Sequence, residues 1–272
     1  MSHERGEAHV SAPWLGIAMA VVLLAVALAG PALLATDPLS PDLAAASRSP
    51  SATWLFGTDE LGRSVLARTV AGARLSLGAA LAATVATTVL GTGLGLLSAE
   101  VGGLGERALL AICDTVYACP SLLLVMLVTE LFDGGIWMVV VGLVLTRWPA
   151  FARLCHPVAR AALQRPDAEA SRLLGFGRSY RLRRHAWPAV RSTVVSIAAL
   201  QFAGALLSIA ALGFLGVGLL PPQPEWGAMI AEALPYMGDQ PAMLAAPALG
   251  IFLATWSATL VGEAYAARSA AP

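Results

Sequence analysis

The chain of 272 residues is 57% hydrophobic and 12% charged, with a formal net charge of zero and a mean hydropathy of +0.72. A soluble domain carries about a quarter charged residues, so this composition indicates a membrane protein. All 17 basic residues are arginines. Because a P-loop ATPase needs a lysine on its bound phosphates, that enzyme class is excluded.

Six apolar stretches are long enough for a helix that crosses a hydrocarbon layer of about 30 Å. They cover residues 14–35, 75–97, 108–131, 136–154, 194–220 and 244–264. We therefore predict an all-α, polytopic fold. Its parts are a tail (1–13), a first transmembrane helix (14–35), an external segment (36–74), a five-helix core (75–265) with a cytoplasmic loop (156–191), and a tail (266–272).

The N-terminal tail contains His3 and His9 with Glu4 and Glu7. These residue types suit a metal site, but a short polar tail is the simpler interpretation. The three cysteines have neither zinc spacing nor the even number of a disulfide framework. The sequence therefore predicts no metal site.

The external segment contains apolar residues at helical spacing between positions 53 and 73, with arginines opposite. This pattern is typical of an amphipathic helix, which either packs on the bundle or lies along the membrane surface. In the next span, the Gly91-x-x-x-Gly95 spacing permits close approach of another helix. In the third span, Asp114 is a charged residue within the membrane, and we favour structural pairing over substrate contact for it.

The distribution of arginine predicts the orientation in the membrane. Ten of the 17 arginines lie in residues 147–191, and arginine-rich loops stay in the cytoplasm. Both termini are then cytoplasmic, and residues 36–74 and 221–243 are external.

This arginine-rich loop contains a short predicted helix. Pro166 suits its first position, and the carboxylates of Asp167 and Glu169 suit its positively polarised first turn. Gly175 can adopt the left-handed conformation that ends a helix. The remaining small side chains predict a face on which another protein could sit closely, formed by Ala168, Ala170 and Ser171.

The same loop resembles the EAA loop of ABC importer permeases. The resemblance lies in Glu169-Ala170-Ser171-x-x-x-Gly175, followed by His185-x-Trp187-Pro188. The chain keeps the spacing of the family pattern. It departs from it by having Ser171 in place of the second alanine and His185 where many members have isoleucine.

Three further segments are similar to the dipeptide, oligopeptide and nickel branch of this family. One runs from Gly57 to Arg63, with Thr58-Asp59-Glu60 and Arg68 in the pattern. Another runs from Gly213 to Gly227, with Glu225-Trp226 in the loop before the last span, and Asp114 with Pro120-Ser121 also matches. The resemblance covers nearly the whole chain from Trp54 onward and implies a type I ABC importer (MetI-like) permease fold.

The resemblance implies a permease subunit without its own ATPase site. Its partners would be a homologous second permease in a heterodimer, two ATP-binding subunits that hold ATP and Mg²⁺, and an extracytoplasmic substrate-binding protein in a bacterial inner membrane. No cofactor on this chain and no nucleic-acid partner is implied. The predicted ATPase-coupling residues are Glu169, Ala170, Ser171, Arg172, Leu174, Gly175, His185 and Pro188, and the predicted binding-protein contacts are Asp59, Arg63, Glu225 and Trp226.

The cargo stays open at this point. Di- or oligopeptides are the first prediction, and nickel or a metal–chelator complex is the alternative, since these systems share the same motifs. A secondary transporter is a remoter alternative, because the sequence shows none of the inverted repeats that such transporters usually have.

Overall fold

The computed structural model describes residues 13–34, 36–132, 134–219 and 221–270, and the predicted all-α fold is confirmed. The helices in these ranges, in chain order, are α1 (Pro13–Leu33), α2 (Val65–Val101), α3 (Gly103–Ala118), α4 (Ser121–Leu131), α5 (Ile136–Leu163), α6 (Pro166–Leu173), α7 (Arg178–Arg181), α8 (Trp187–Phe214), α9 (Trp226–Ala233) and α10 (Pro241–Ala270).

Within the described residues, four helices are long and apolar enough to cross a membrane: α2, α5, the continuous helix formed by α7, residues 182–186 and α8, and α10. The bent pair α3–α4 makes a fifth if it is counted as one span. The apolar stretch of α1 over Trp14–Gly30 is shorter than these. The prediction of six spans is therefore approximate in number.

The predicted third span is not one continuous helix. α3 and α4 meet at an angle of 88°. The break lies at Cys119, which is extended (φ −93°, ψ 136°), and Pro120 follows it. Because proline lacks an N–H and disfavours helical geometry in the preceding residue, the two helices cannot continue through this point.

The first turns of α2 correct the interpretation of the external amphipathic stretch. Ser64 caps α2 by accepting a hydrogen bond from the backbone N–H of Ala67, so residues 65–74 belong to the 37-residue α2. Arg63 and Arg68 are buried within the protein rather than placed opposite an apolar face. The stretch is thus the start of a membrane helix.

The close packing predicted for the glycines of α2 is confirmed. A Cβ atom at Gly91 would lie 2.3 Å from the carbonyl oxygen of Trp148, and one at Gly95 would lie 2.8 Å from that of Ala152. Both contacts are with α5. A large buried apolar cluster joins α2 and α5 to α8 and includes Leu143, Leu206 and Ile209.

The bundle has two ends of different composition. The arginine-rich end contains α6, α7 and residues 182–186. The opposite end contains residues 36–64 and 221–240, including α9. α5 runs from the opposite end to the arginine-rich end, and α8 returns.

Candidate functional site

The predicted short helix is present as α6, with Pro166 at its start and Asp167 and Glu169 in its first turn. It ends at Gly175, whose φ is +82°. The N–H of Phe176 donates to the carbonyl of Ser171 at 3.1 Å, and the N–H of Gly175 donates to that of Arg172 at 3.0 Å. These are the two hydrogen bonds of a Schellman motif, which needs the left-handed residue that glycine supplies.

Two of the three small side chains predicted for a docking face of α6 contact the protein's own chain. Ala168 is fully buried within the chain itself, and the hydroxyl of Ser171 contacts the ring of His185. Only Ala170 is exposed. Small side chains allow α6 to lie close against its own protein, so Ala170 is the part of the predicted small-residue face that stays exposed on this chain.

His185 connects α6 to the beginning of α8. Its Nε2 lies 3.0 Å from Oγ of Ser171, and its Nδ1 lies 3.5 Å from Oδ2 of Asp167. Ser171 and His185 are the two positions at which the loop departs from the common family pattern, and the structure places them in contact. Pro188 follows in the first turn of α8.

The charge of Asp167 favours its contact with His185. Partial desolvation works to raise the pKa of its carboxyl, but the Arg165 guanidinium, two backbone hydrogen bonds and His185 outweigh that effect and lower this pKa. A lowered pKa keeps the carboxylate ionised at the positively polarised start of α6.

The exposed face of α6 combines an ion pair with large apolar side chains. Arg172 Nη2 lies 2.6 Å from Oε1 of Glu169, and both side chains are exposed. Leu173 is 79% exposed and Leu174 is 77% exposed. Next to them, the ring of Phe176 stacks on another aromatic ring, that of Tyr180, at 4.4 Å. Exposed leucines and aromatics in a charged loop are typical of a protein-binding surface.

Sequence reasoning missed three members of this surface, which are Leu173, Phe176 and Tyr180. A signal was available, because these are the apolar side chains of an otherwise arginine-rich, polar segment. The local sequence pattern of α6 placed the predicted docking face on its small side chains instead.

At the opposite end, the charged residues of the Gly57–Arg63 segment form a buried network. Oδ2 of Asp59 lies 2.7 Å from both Arg63 Nε and Arg68 Nη1. Arg68 Nη1 also lies 2.7 Å from Oε2 of Glu232 on α9. Asp59, Arg63 and Arg68 are each at most 3% exposed. The network therefore fastens the loop before α2 to α9.

Glu225 and Trp226 fasten α9 to α2 in a similar way. Glu225 accepts hydrogen bonds from the N–H of Ala228 at 2.9 Å and from the hydroxyl of Ser76 at 3.0 Å. The indole N–H of Trp226 donates to the carbonyl of Thr69 at 2.9 Å. Both side chains are 1% exposed. Burial raises the pKa of the Glu225 carboxyl, although its hydrogen bonds act in the other direction.

This burial changes how the four predicted binding-protein contacts are interpreted. Asp59, Arg63, Glu225 and Trp226 lie inside the protein, where no other chain can reach them in this conformation. We assign them to the internal connections of the opposite end and no longer expect direct contact with a binding protein.

The predicted assignment of ten arginines to one cytoplasmic loop also needs correction. Three of the ten lie within the membrane helix α5. Arg153 forms an ion pair with the exposed Asp114, and Arg160 pairs with Glu106 on α3 at 3.0 Å. Arg147 lies near the middle of α5, beside α8. Asp114 is thus paired within the chain, as the sequence analysis favoured.

Across residues 13–34, 36–132, 134–219 and 221–270, no group of three or more His, Cys, Asp or Glu side chains is placed to hold a metal ion. His3 and His9 lie outside the described residues.

Comparison with known proteins identifies the family. Residues 91–270 match the family described as "Binding-protein-dependent transport system inner membrane component". The chain is 36% identical over 213 residues to the glutathione transport system permease protein GsiD of Pectobacterium atrosepticum, a match that covers 78% of this chain and 70% of the relative. The corresponding GsiD of Escherichia coli is also 36% identical, over 217 residues, which are 80% of this chain and 72% of the relative.

A third relative is named for a different cargo. The chain is 30% identical over 250 residues to the nickel transport system permease protein NikC of Escherichia coli, covering 92% of this chain and 90% of the relative. Together with the apolar helices and the matched motifs, these similarities show that the chain belongs to the family of inner-membrane permease subunits of binding-protein-dependent ABC importers.

Proposed function

We propose that this permease imports di- or oligopeptides, and that α6 is the coupling helix through which a partner ATPase drives it. The observation that carries the docking part is the exposed surface of α6, where Leu173 and Leu174 lie uncovered beside the Glu169–Arg172 pair. ATP and Mg²⁺ bind to the partner ATPases, and this chain holds no cofactor of its own.

The arginine-rich end then faces the cytoplasm, and both termini lie on that side. The remaining arginines of residues 165–184 support this orientation, because they lie in α6, α7 and the connections around them. A homologous second permease forms a heterodimer with this chain, and a binding protein delivers cargo at the opposite end. Closure of the two ATPases moves α6, and through His185 this movement reaches α8 and shifts the bundle between its inward-open and outward-open states.

Peptide cargo is supported by the relatives that are named for glutathione, a tripeptide. Nickel, free or as a metal–chelator complex, is the second candidate. It is supported by the relative named for nickel, whose match covers 92% of this chain, compared with 78% and 80% for the two relatives named for glutathione.

The docking proposal is tested with two leucines at the same end of the bundle. Leu173 on α6 is 79% exposed, and Leu104 at the start of α3 is 82% exposed. Truncating an interface anchor costs about 1–2 kcal/mol or more, which is a five- to thirtyfold loss of affinity. We expect Leu173→Ala to weaken ATPase co-purification and ATP-driven uptake by about this factor and Leu104→Ala to leave both unchanged. Equal behaviour of the two variants would remove α6 from the interface, as would normal uptake by Glu169→Arg.

The cargo proposal is tested by transport. The complete importer is reconstituted in proteoliposomes with its second permease, ATPases and binding protein, and ATP-dependent uptake of labelled glutathione is compared with that of labelled Ni²⁺. Peptide import predicts glutathione uptake that exceeds Ni²⁺ uptake. The reverse order would favour the nickel alternative, and uptake that needs an ion gradient but no ATP would favour a secondary transporter.

A further inference from the structure

Arg147 lies at an unusual depth for a charged residue. It is near the middle of α5 (Ile136–Leu163), and its contacts are with the middle of α8 (Trp187–Phe214). Both helices are long and apolar enough to cross a membrane. The guanidinium is therefore close to the membrane midplane, where a charged side chain is costly and marks a functional site by default.

All the hydrogen-bond acceptors found for Arg147 are neutral. Nη1 donates to Oε1 of Gln201 at 2.8 Å, and Nη2 donates to the carbonyl of Gly204 at 2.9 Å and to Oγ of Ser208 at 2.8 Å. No ion pair within the described part of the chain includes Arg147. The charge is held in place, but its counter-charge does not come from these residues.

Other arginines of the bundle differ in this respect. Arg63 and Arg68 at the opposite end, and Arg153 and Arg160 on α5 itself, all have a carboxylate partner on the same chain. Where this protein uses arginine to connect its own helices, it also supplies the acid. Arg147 does not follow that rule, which indicates a role other than internal connection.

The surroundings of Arg147 leave space for its guanidinium. A Cβ atom at position 204 would lie 2.8 Å from Nη1, so glycine makes room for the group. Arg147, Gln201, Gly204 and Ser208 are all half-buried, so the site is not sealed within this chain. An arginine has five N–H donors, and the three bonds to α8 leave two for another acceptor.

The part of this site that stays accessible cannot face lipid, because hydrocarbon does not solvate a charge. We propose that Arg147, oriented by Gln201, Gly204 and Ser208, binds an anionic group of the cargo, such as a carboxylate, as it passes the membrane midplane. This inference rests on the proposed function, since it assumes that cargo moves along this chain. Neutral partners hold the guanidinium without neutralising it, so binding can be favourable yet weak enough for release.

This site restricts the cargo to a chemical class. A peptide with an uncompensated carboxylate, or a metal enclosed in an anionic chelate, is attracted by the guanidinium. A bare divalent cation is repelled by it. The relatives are named for glutathione and for nickel. Uptake of each of these cargoes can therefore be compared between the wild-type importer and variants of Arg147.

The test uses the complete importer in proteoliposomes and measures ATP-dependent uptake of labelled glutathione and of Ni²⁺. A charge-assisted hydrogen bond is worth enough that we expect Arg147→Gln to lower glutathione uptake about tenfold or more. Arg147→Lys keeps the charge and retains a substantial share of uptake. Gly204→Ala displaces the guanidinium and gives a partial loss. The control Arg107→Gln removes an exposed arginine at the arginine-rich end of α3 and leaves uptake unchanged.

Each other outcome contradicts the inference, and the outcomes also show whether the proposed function fails with it. If the wild-type importer takes up glutathione and Arg147→Gln does so equally well, the inference fails and the proposed function stands. If the glutamine and lysine variants both lose the second permease during purification, Arg147 pairs with an acid of that subunit instead. Uptake of bare Ni²⁺ and no glutathione by the wild-type importer would contradict an anionic cargo. If the wild-type importer takes up neither probe, the peptide-import proposal fails, and the inference fails with it.

Discussion

At the arginine-rich end of the bundle, the Glu169–Arg172 ion pair lies on an exposed helix with bare leucines beside it. At the opposite end, the Asp59–Arg68 pair has a similar length but is almost completely buried. An exposed pair is worth little to stability and stays available to a partner, whereas a buried pair whose partner is removed leaves a costly charge. The same residue types therefore serve docking at one end and structural connection at the other.

The largest expected effect comes from breaking the buried network. We expect Arg68→Ala to lower the free energy of unfolding by about 3 kcal/mol, because Glu232 then loses its short ion pair and Asp59 keeps only Arg63 as a counter-charge. The matched control is Arg74→Ala, since Arg74 lies on the same helix and is exposed, and surface substitutions usually change stability by about 0.5 kcal/mol or less.

This prediction is checked by thermal unfolding of the purified complex in mild detergent. A clearly lower midpoint for Arg68→Ala than for Arg74→Ala supports the network as a structural connection. Equal midpoints would mean that the buried ion pairs contribute nothing, and the contrast between the two ends would lose its physical basis.

The intermediate effect concerns the contact between α6 and α8. His185→Ala removes the hydrogen bond to Ser171, which is worth about 1 kcal/mol and thus about a fivefold change in local opening. Hydrogen exchange of the α6 amides in the assembled importer should accelerate by about that factor, with lower ATP-driven uptake. Arg184→Ala, an exposed neighbour, is the control. Unchanged exchange in α6 would show that His185 does not hold this helix.

Features of the fold that depend on a few neighbouring residues were predicted correctly from the sequence. Pro166 and Gly175 mark the ends of α6 through backbone rules that act within a few residues, and the Gly91–Gly95 contact follows from spacing alone. The bend at Pro120 was also signalled locally, but a hydropathy window averages across a single proline. Hydropathy measures mean polarity, so it does not report where a helix breaks.

The long-range part could not be predicted in the same way. Arg68 looked like a solvent-facing residue because its acid, Glu232, is 164 residues away in the sequence. Arg147 was counted with the arginine-rich segment because the positive-inside rule counts residues and ignores their depth. Which face of α6 is exposed depends on His185 beneath it, and local spacing of small residues does not contain that information.

The smallest expected effect is a change in pH dependence at the opposite end. Burial raises the folded-state pKa of Glu225 above its ordinary value of 4.5. The folded state therefore binds the proton more tightly than the unfolded state does. The resulting stability is fully present below pH 4.5 and is lost as the pH rises through the raised pKa. Glu225→Gln keeps an acceptor for the N–H of Ala228 and has no proton to lose.

The difference in unfolding midpoint between Glu225→Gln and the wild-type complex should therefore grow in favour of the variant as the pH is raised from about 4.5. Groups that titrate elsewhere are common to both proteins and cancel in this difference. Ser76→Ala removes a hydrogen bond that favours the ionised carboxyl of Glu225. In proteins that carry Ser76→Ala, the difference in unfolding midpoint caused by Glu225→Gln should therefore continue to increase up to a higher pH. A difference that stays flat or shrinks with pH would place the Glu225 carboxyl in a better-solvated site, and the opposite end would then resemble the exposed surface of α6 more than a sealed connection.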